Sequence, residues 1–123
     1  MKILIDTHIF LWMLNCPEKL DDQRRYLIES PSNEIYLSAM SVTELMIKSS
    51  LDKLEINFNP LEVAEQIGVE ILNFSGNDAL LLKEMPYHHK DPFDRMIIAQ
   101  SITNQMKLMS NDTKFKLYNC KLI

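Results

Sequence analysis

Four acidic residues, Asp6, Glu44, Asp94 and Asp112, stand where a carboxylate is either a structural cap or a chemical tool. Asp6 follows Ile3-Leu4-Ile5 and Asp112 comes three residues after Met109, at the end of Lys107-Leu108-Met109. Both runs read as strands, so both acids leave strand ends. Asp6 also suits a helix N-cap, and Asn111-Asp112 suits a turn. Glu44 interrupts an apolar side of a predicted helix. At about 3.6 residues per turn, Met40, Ile47 and Leu51 share its side, while Val42, Leu45 and Met46 line the other. A buried carboxylate there must be paired or bind metal; one at the rim would pair with Lys48 at i+4. In Asp91-Pro92-Phe93-Asp94, Asp91 reads as the cap, Pro92 as the first helical residue and Asp94 as the third. Asp94 lies on the side of Ile97 and Ile98 and reads as a metal ligand.

Carboxylates brought together repel and raise one another's pKa. A hard divalent cation removes that conflict and prefers oxygen ligands. Magnesium keeps several waters and can present one as a nucleophile, which suits phosphoryl chemistry. Asp6 and Asp94 are the expected direct ligands of Mg2+ or Mn2+, with Glu44 and Asp112 acting directly or through water. His88, His89, Lys90 and Arg95 form a basic cluster beside this site, with His8 and Lys48 nearby. They are candidate contacts to a phosphate backbone, and the cluster also reads as a solvated loop.

These residues must be carried by an alternating succession of elements. Strands are predicted at Ile3–Ile5, Glu34–Leu37, Val69–Leu72, Lys107–Met109 and Cys120–Ile123. Helices are predicted through Leu14 and over Asp21–Ser30, Ser38–Leu51, Pro60–Ile67, Asn77–Met85 and Phe93–Gln105. Alternation of this kind predicts an α/β fold with a central parallel sheet of about four to five strands flanked by helices. Ligands of such folds sit outside the carboxyl ends of the strands.

The 123 residues are 46% hydrophobic and 24% charged, which predicts one globular domain over residues 1–123 rather than a disordered chain. Two glycines, Gly68 and Gly76, are too few for a phosphate-cradling loop. Cys16 and Cys120 lie far apart, which excludes a disulfide scaffold and a thiolate zinc site. Thirteen basic against 17 acidic residues give a net charge of -4 and disfavour a protein that coats nucleic acid with its whole surface. No targeting or membrane-spanning segment is apparent, so a cytoplasmic location is expected.

In order along the chain, Ile3-Leu4-Ile5-Asp6-Thr7-His8, Ser41-Val42-Thr43-Glu44, His89-Lys90-Asp91-Pro92-Phe93-Asp94-Arg95 and Ser110-Asn111-Asp112 resemble a PIN domain, most closely the VapC-like ribonuclease toxins of toxin–antitoxin pairs. The segment from Asp91 to Gln100 is the most specific piece. The resemblance implies a magnesium- or manganese-dependent endoribonuclease whose acids match Asp6, Glu44, Asp94 and Asp112. Thr7 and Ser110 match residues usual beside the first and fourth acids, and His8, Lys48, Asp91 and Arg95 resemble features of a subgroup. It further implies a protein antitoxin that covers the site, and a homodimer. Single-stranded RNA loops are the expected substrate, and eight methionines would fill the core or build adaptable contact surfaces.

Other readings compete. A PIN-type nuclease could act on DNA or in RNA processing; the lack of an appended RNA-binding segment favours the small toxin. A phosphoacceptor receiver domain also binds magnesium at strand ends. It would need an acidic pair after the first strand, whereas Asp6 is followed by Thr7 and His8, and Leu37-Ser38 ends the second strand without an acid. A scaffold that has lost activity is disfavoured by the presence of all four acids.

Overall fold

A computed structural model describes residues 1–123. Five strands form one wholly parallel sheet: β1 (Lys2–Ile5), β2 (Glu34–Ser38), β3 (Val69–Leu72), β4 (Lys107–Met109) and β5 (Lys121–Leu122), in the spatial order β3-β2-β1-β4-β5. Ile3 pairs with Ile35 on one side and Lys107 on the other, so β1 is the central strand. Ile3, Leu4 and Ile5 are wholly buried, which is why their run carries no polar alternation.

Six helices cover the sheet: α1 (Thr7–Asn15), α2 (Asp22–Glu29), α3 (Ala39–Ser50), α4 (Pro60–Gln66), α5 (Gly76–Glu84) and α6 (Pro92–Thr103). Side chains alternate across each strand. Ile3, Ile5, Ile35, Leu37 and Met109 join one core with Ile9, Phe10, Leu45 and Ala64. Leu4 and Leu108 join a second with Ile97, Ile98, Ala99 and Phe115. Helices α1 to α4 thus lie against the first face, and α5 and α6 against the second.

The predicted elements all form, and several ends are fixed by caps. Ser38 caps α3, Asn59 caps α4, and Ser75 with Asp78 makes a capping box at α5. Gly68 leaves α4 at φ +77, a left-handed turn that glycine makes without strain. Two expectations need correction. The last helix stops at Thr103 rather than Gln105, because Gln105 adopts φ 54 and the chain turns there into β4. On α3 the apolar pattern overstates burial on both predicted sides: Glu44 and Leu45 are buried, whereas Met46 and Ile47 are exposed, as is Leu51 just beyond the helix.

The strand order reverses between β1 and β4. β2 lies on one side of β1 and β4 on the other, so the loops leaving β1 and β4 diverge and open a crevice at their carboxyl ends. Asp6 and Asp112 are carried by those two loops.

Candidate active site

Asp6 is the N-cap of α1, its Oδ1 accepting the Ile9 N–H at 2.8 Å, while its own N–H is donated to Met109 O at 3.1 Å. The cap expected of Asp6 forms and uses one carboxylate oxygen. Burial pushes its carboxyl above the usual range, and Asp112 adds to this; the Ser110 hydroxyl, the Ile9 N–H and His8 oppose the rise.

Glu44 is buried and is also paired with Lys48, so the two readings of this residue converge. Its Oε2 accepts from Lys48 Nζ at 2.8 Å. The Thr7 hydroxyl bridges Glu44 Oε1 and Ser41 Oγ, each at 2.9 Å. Thr7 therefore ties the start of α1 to α3. The Lys48 ammonium is held above its ordinary pKa, chiefly by that hydrogen bond to Glu44. The candidate RNA contact is thus already engaged.

Asp91 caps α6 through Oδ1, accepting from Phe93 N at 2.9 Å and Asp94 N at 3.1 Å. Asp94, three residues on, carries its carboxylate beside His89, with Oδ2 3.1 Å from Nε2. Its carboxyl is pushed up to about 7, first by burial and then by Asp91, Glu44 and Asp6, with His89 opposing the rise. Asp112 caps a short 3-10 turn over Thr113–Leu117, its Oδ1 accepting from Lys114 N at 2.9 Å, so it does more than turn the chain. Burial alone would raise the Asp112 carboxyl, but the His89 hydrogen bond, the Lys114 N–H and the charges of His89 and Lys114 outweigh it and hold it low.

The mutual influence of Asp6, Glu44, Asp94 and Asp112 puts the four acids in one electrostatic neighbourhood at the carboxyl end of the sheet. The tightest group differs from the expected foursome: a nitrogen of His89 and carboxylate oxygens of Asp94 and Asp112 lie within 4.8 Å of one another. Asp6 and Glu44 stand outside that group.

The basic cluster divides. His88 and Lys90 are exposed, as is His8, whereas His89 and Arg95 are buried. Arg95 donates to Pro86 O at 3.0 Å, Leu82 O at 3.2 Å and the Tyr118 hydroxyl at 3.2 Å, and lies over the Tyr87 ring. Its donors are spent on folding the segment that carries His89, so it is an anchor and not an open backbone contact. Gln100 has a similar duty: it bonds Ser38, Leu72 O and Asn73 O, joining α6 to the ends of β2 and β3.

Sequence reasoning passed over Arg24 and Trp12. Arg24, on a helix read only as polar surface, donates to Ser110 O at 2.9 Å and Asn111 Oδ1 at 3.2 Å and so fixes the loop bearing Asp112. Trp12 lines a cleft of about 230 Å³ with Asp6, His8, Asn111 and Asp112. A second hollow of about 310 Å³, lined by residues including Arg24, Thr113 and Lys116, meets it at Asn111 and Asp112. The largest hollow, about 630 Å³ along β3, contains none of the four acids. Nothing in the local sequence marks Arg24; the i, i+4 step from His8 to Trp12, which puts both on one side of α1, is the faint signal for Trp12.

The family model described as "PIN domain" matches residues 3–119. The chain therefore belongs to the PIN domain family. Its fold is similar to that of VapBC2 from Rickettsia felis bound to a promoter DNA fragment, with TM-score 0.74, 19% identity, and coverage of 100% of this chain and 98% of that one. DNA-bound VapBC from Salmonella typhimurium gives TM-score 0.70 at 17% identity, over 100% and 97% of the two chains. FitAcB from Neisseria gonorrhoeae gives TM-score 0.63 at 20% identity, over 98% and 96%. No curated protein sequence matches. No helix is long and apolar enough to cross a membrane.

Proposed function

We propose that this protein is a metal-dependent endoribonuclease and the toxin of a toxin–antitoxin pair, acting in the cytoplasm as one domain over residues 1–123. The observation that carries the reading is the group of acids at the switch point between β1 and β4, where Asp94 is pushed up to about 7 by burial and by its acidic neighbours. Such a set is poorly neutralised by the protein itself and matches a hard dication. Membership in the PIN family supports the nuclease chemistry. The toxin assignment draws on the likeness to VapBC and FitAB chains.

The donor set fits Mg2+ or Mn2+: oxygen ligands from Asp6 and Asp94, with Glu44 and Asp112 direct or through water. When bound, the ion supplies an activated water and neutralises charge at the scissile phosphate. The protein's own part is positioning. Thr7, Ser41 and Lys48 orient Glu44; the helix cap orients Asp6; Ser110, whose Oγ accepts the Asp112 N–H at 3.0 Å, shapes the fourth loop. His8, His88 and Lys90, all exposed, are proposed to meet the RNA backbone. A protein antitoxin and a second copy of the chain complete the proposed assembly. The test is expression and assay. The purified chain should cut single-stranded RNA with Mg2+ or Mn2+ and fall silent in EDTA. Expression alone should arrest growth, relieved by the adjacent gene. Full activity in EDTA, or harmless expression of intact protein in the native host, contradicts the reading.

A further inference from the structure

We propose that His89 is a positioning residue for the acid pair, an N–H clamp that holds the carboxylates of Asp94 and Asp112 convergent. This rests on the metal-site reading above and adds a residue to it.

The geometry is specific. His89 Nε2 lies 3.1 Å from Asp94 Oδ2 and 2.9 Å from Asp112 Oδ2. Asp94 comes from the first turn of α6 and Asp112 from the loop after β4, two elements that have no hydrogen bond of their own between these side chains. Left alone, two carboxylates at this spacing repel. The ring that joins them is buried, 7% exposed, against the edge of Phe115 at 5.8 Å between centroids.

The ring is also oriented. Its Nδ1 accepts the Asp91 backbone N–H at 3.1 Å. A neutral imidazole has one N–H and one lone pair. With the lone pair on Nδ1, the proton is on Nε2, where it is donated to Asp112 Oδ2 while Asp94 Oδ2 packs against the same nitrogen at 3.1 Å. The same argument makes His89 a partner of the ligands and not a ligand: Nε2 has no lone pair to offer a cation while Asp91 occupies Nδ1. The backbone is fixed as well, since His89 N donates to the Tyr118 hydroxyl at 2.7 Å, and that hydroxyl also accepts from the buried Arg95. Asp91 thereby has two duties, its side chain capping α6 and its backbone N–H setting the tautomer of His89. Groups that orient metal ligands in this way typically affect metal affinity by roughly 10–100-fold.

The experiment measures Mn2+ binding by the loss of the free-ion paramagnetic resonance signal, in wild type, His89→Leu and His89→Gln. Glutamine carries an N–H at similar reach; leucine carries none. The expected result is a loss of roughly 10–100-fold in affinity for His89→Leu, largely restored in His89→Gln, with unchanged far-ultraviolet dichroism in all three. Wild-type affinity in His89→Leu overturns the clamp, and so does an equal loss in both variants. No Mn2+ binding by folded wild type refutes the metal-site reading itself, and the clamp with it. Should His89→Leu fail to fold, nitrogen NMR of the wild-type ring decides: the proton is expected on Nε2 both without metal and with Mg2+, and a proton on Nδ1 overturns the proposal.

Discussion

Replacing Asp94 with asparagine should stabilise the metal-free protein at neutral to alkaline pH and leave it unchanged in acid. The Asp94 carboxyl is pushed from 3.8 to about 7, first by burial and then by Asp91, Glu44 and Asp6. Below the unfolded value both states hold the proton, and the carboxyl exerts no net effect. Between the two values the unfolded chain ionises while the folded chain keeps its proton, so wild-type stability falls as pH rises; above about 7 the full penalty is present. One pKa unit corresponds to about 1.36 kcal/mol, so the face-value penalty is about 4 kcal/mol. The side chain retains 16% exposure, and solvent screening reduces the effect. Asparagine also forfeits the charge-assisted attraction to His89. A net gain of about 1–2 kcal/mol remains the expectation near pH 8. Urea denaturation in EDTA at about pH 3 and pH 8 measures it. No gain at the higher pH, or an equal gain at both, refutes the reasoning. Wild type, unlike the variant, should regain stability on adding Mn2+.

Other perturbations separate scaffold from site. Asp91→Ala should lower stability by about 0.5–2 kcal/mol and Asp91→Asn should barely change it, because asparagine also caps helices; loss of cleavage by a folded Asp91→Asn would place that carboxylate in the site. Glu44→Gln keeps a partner for Thr7 but removes the charge that holds Lys48, so NMR titration should find the Lys48 amine losing its upward shift while RNA cleavage falls; an unmoved Lys48 contradicts the pairing. Arg24→Ala removes two hydrogen bonds to the loop bearing Asp112, so the Asp112 and Lys114 amides should exchange with solvent faster; unchanged exchange shows that Arg24 does not hold this loop.

What the sequence disclosed followed the range of the forces involved. Ile3-Leu4-Ile5 announces a strand buried on both faces because period-two burial on both sides needs only local apolar residues. Asp91-Pro92 announces a helix start because cap and fixed φ are local properties, and the cap forms as expected. Asp6 and Asp112 were legible as strand-end acids for the same reason. His89 was not legible. In His88-His89-Lys90 it resembles its exposed neighbours, and its inward turn depends on Tyr118, Phe115 and Asp112, all more than twenty residues away. Arg95 likewise reads as a surface cation until Leu82, Pro86 and Tyr118 absorb its donors. The exposed Met46 and Ile47 mislead in the opposite sense, since periodicity marks a face as apolar without saying that anything covers it.

The most direct test of the central claim is cleavage of a single-stranded RNA by purified wild type and by Asp94→Asn, each with Mg2+, with Mn2+ and with EDTA. Cleavage is expected only for wild type with a divalent ion, with the variant folded and inactive. Metal-independent cleavage, or wild-type cleavage by Asp94→Asn, would contradict an acid-held metal as the seat of activity.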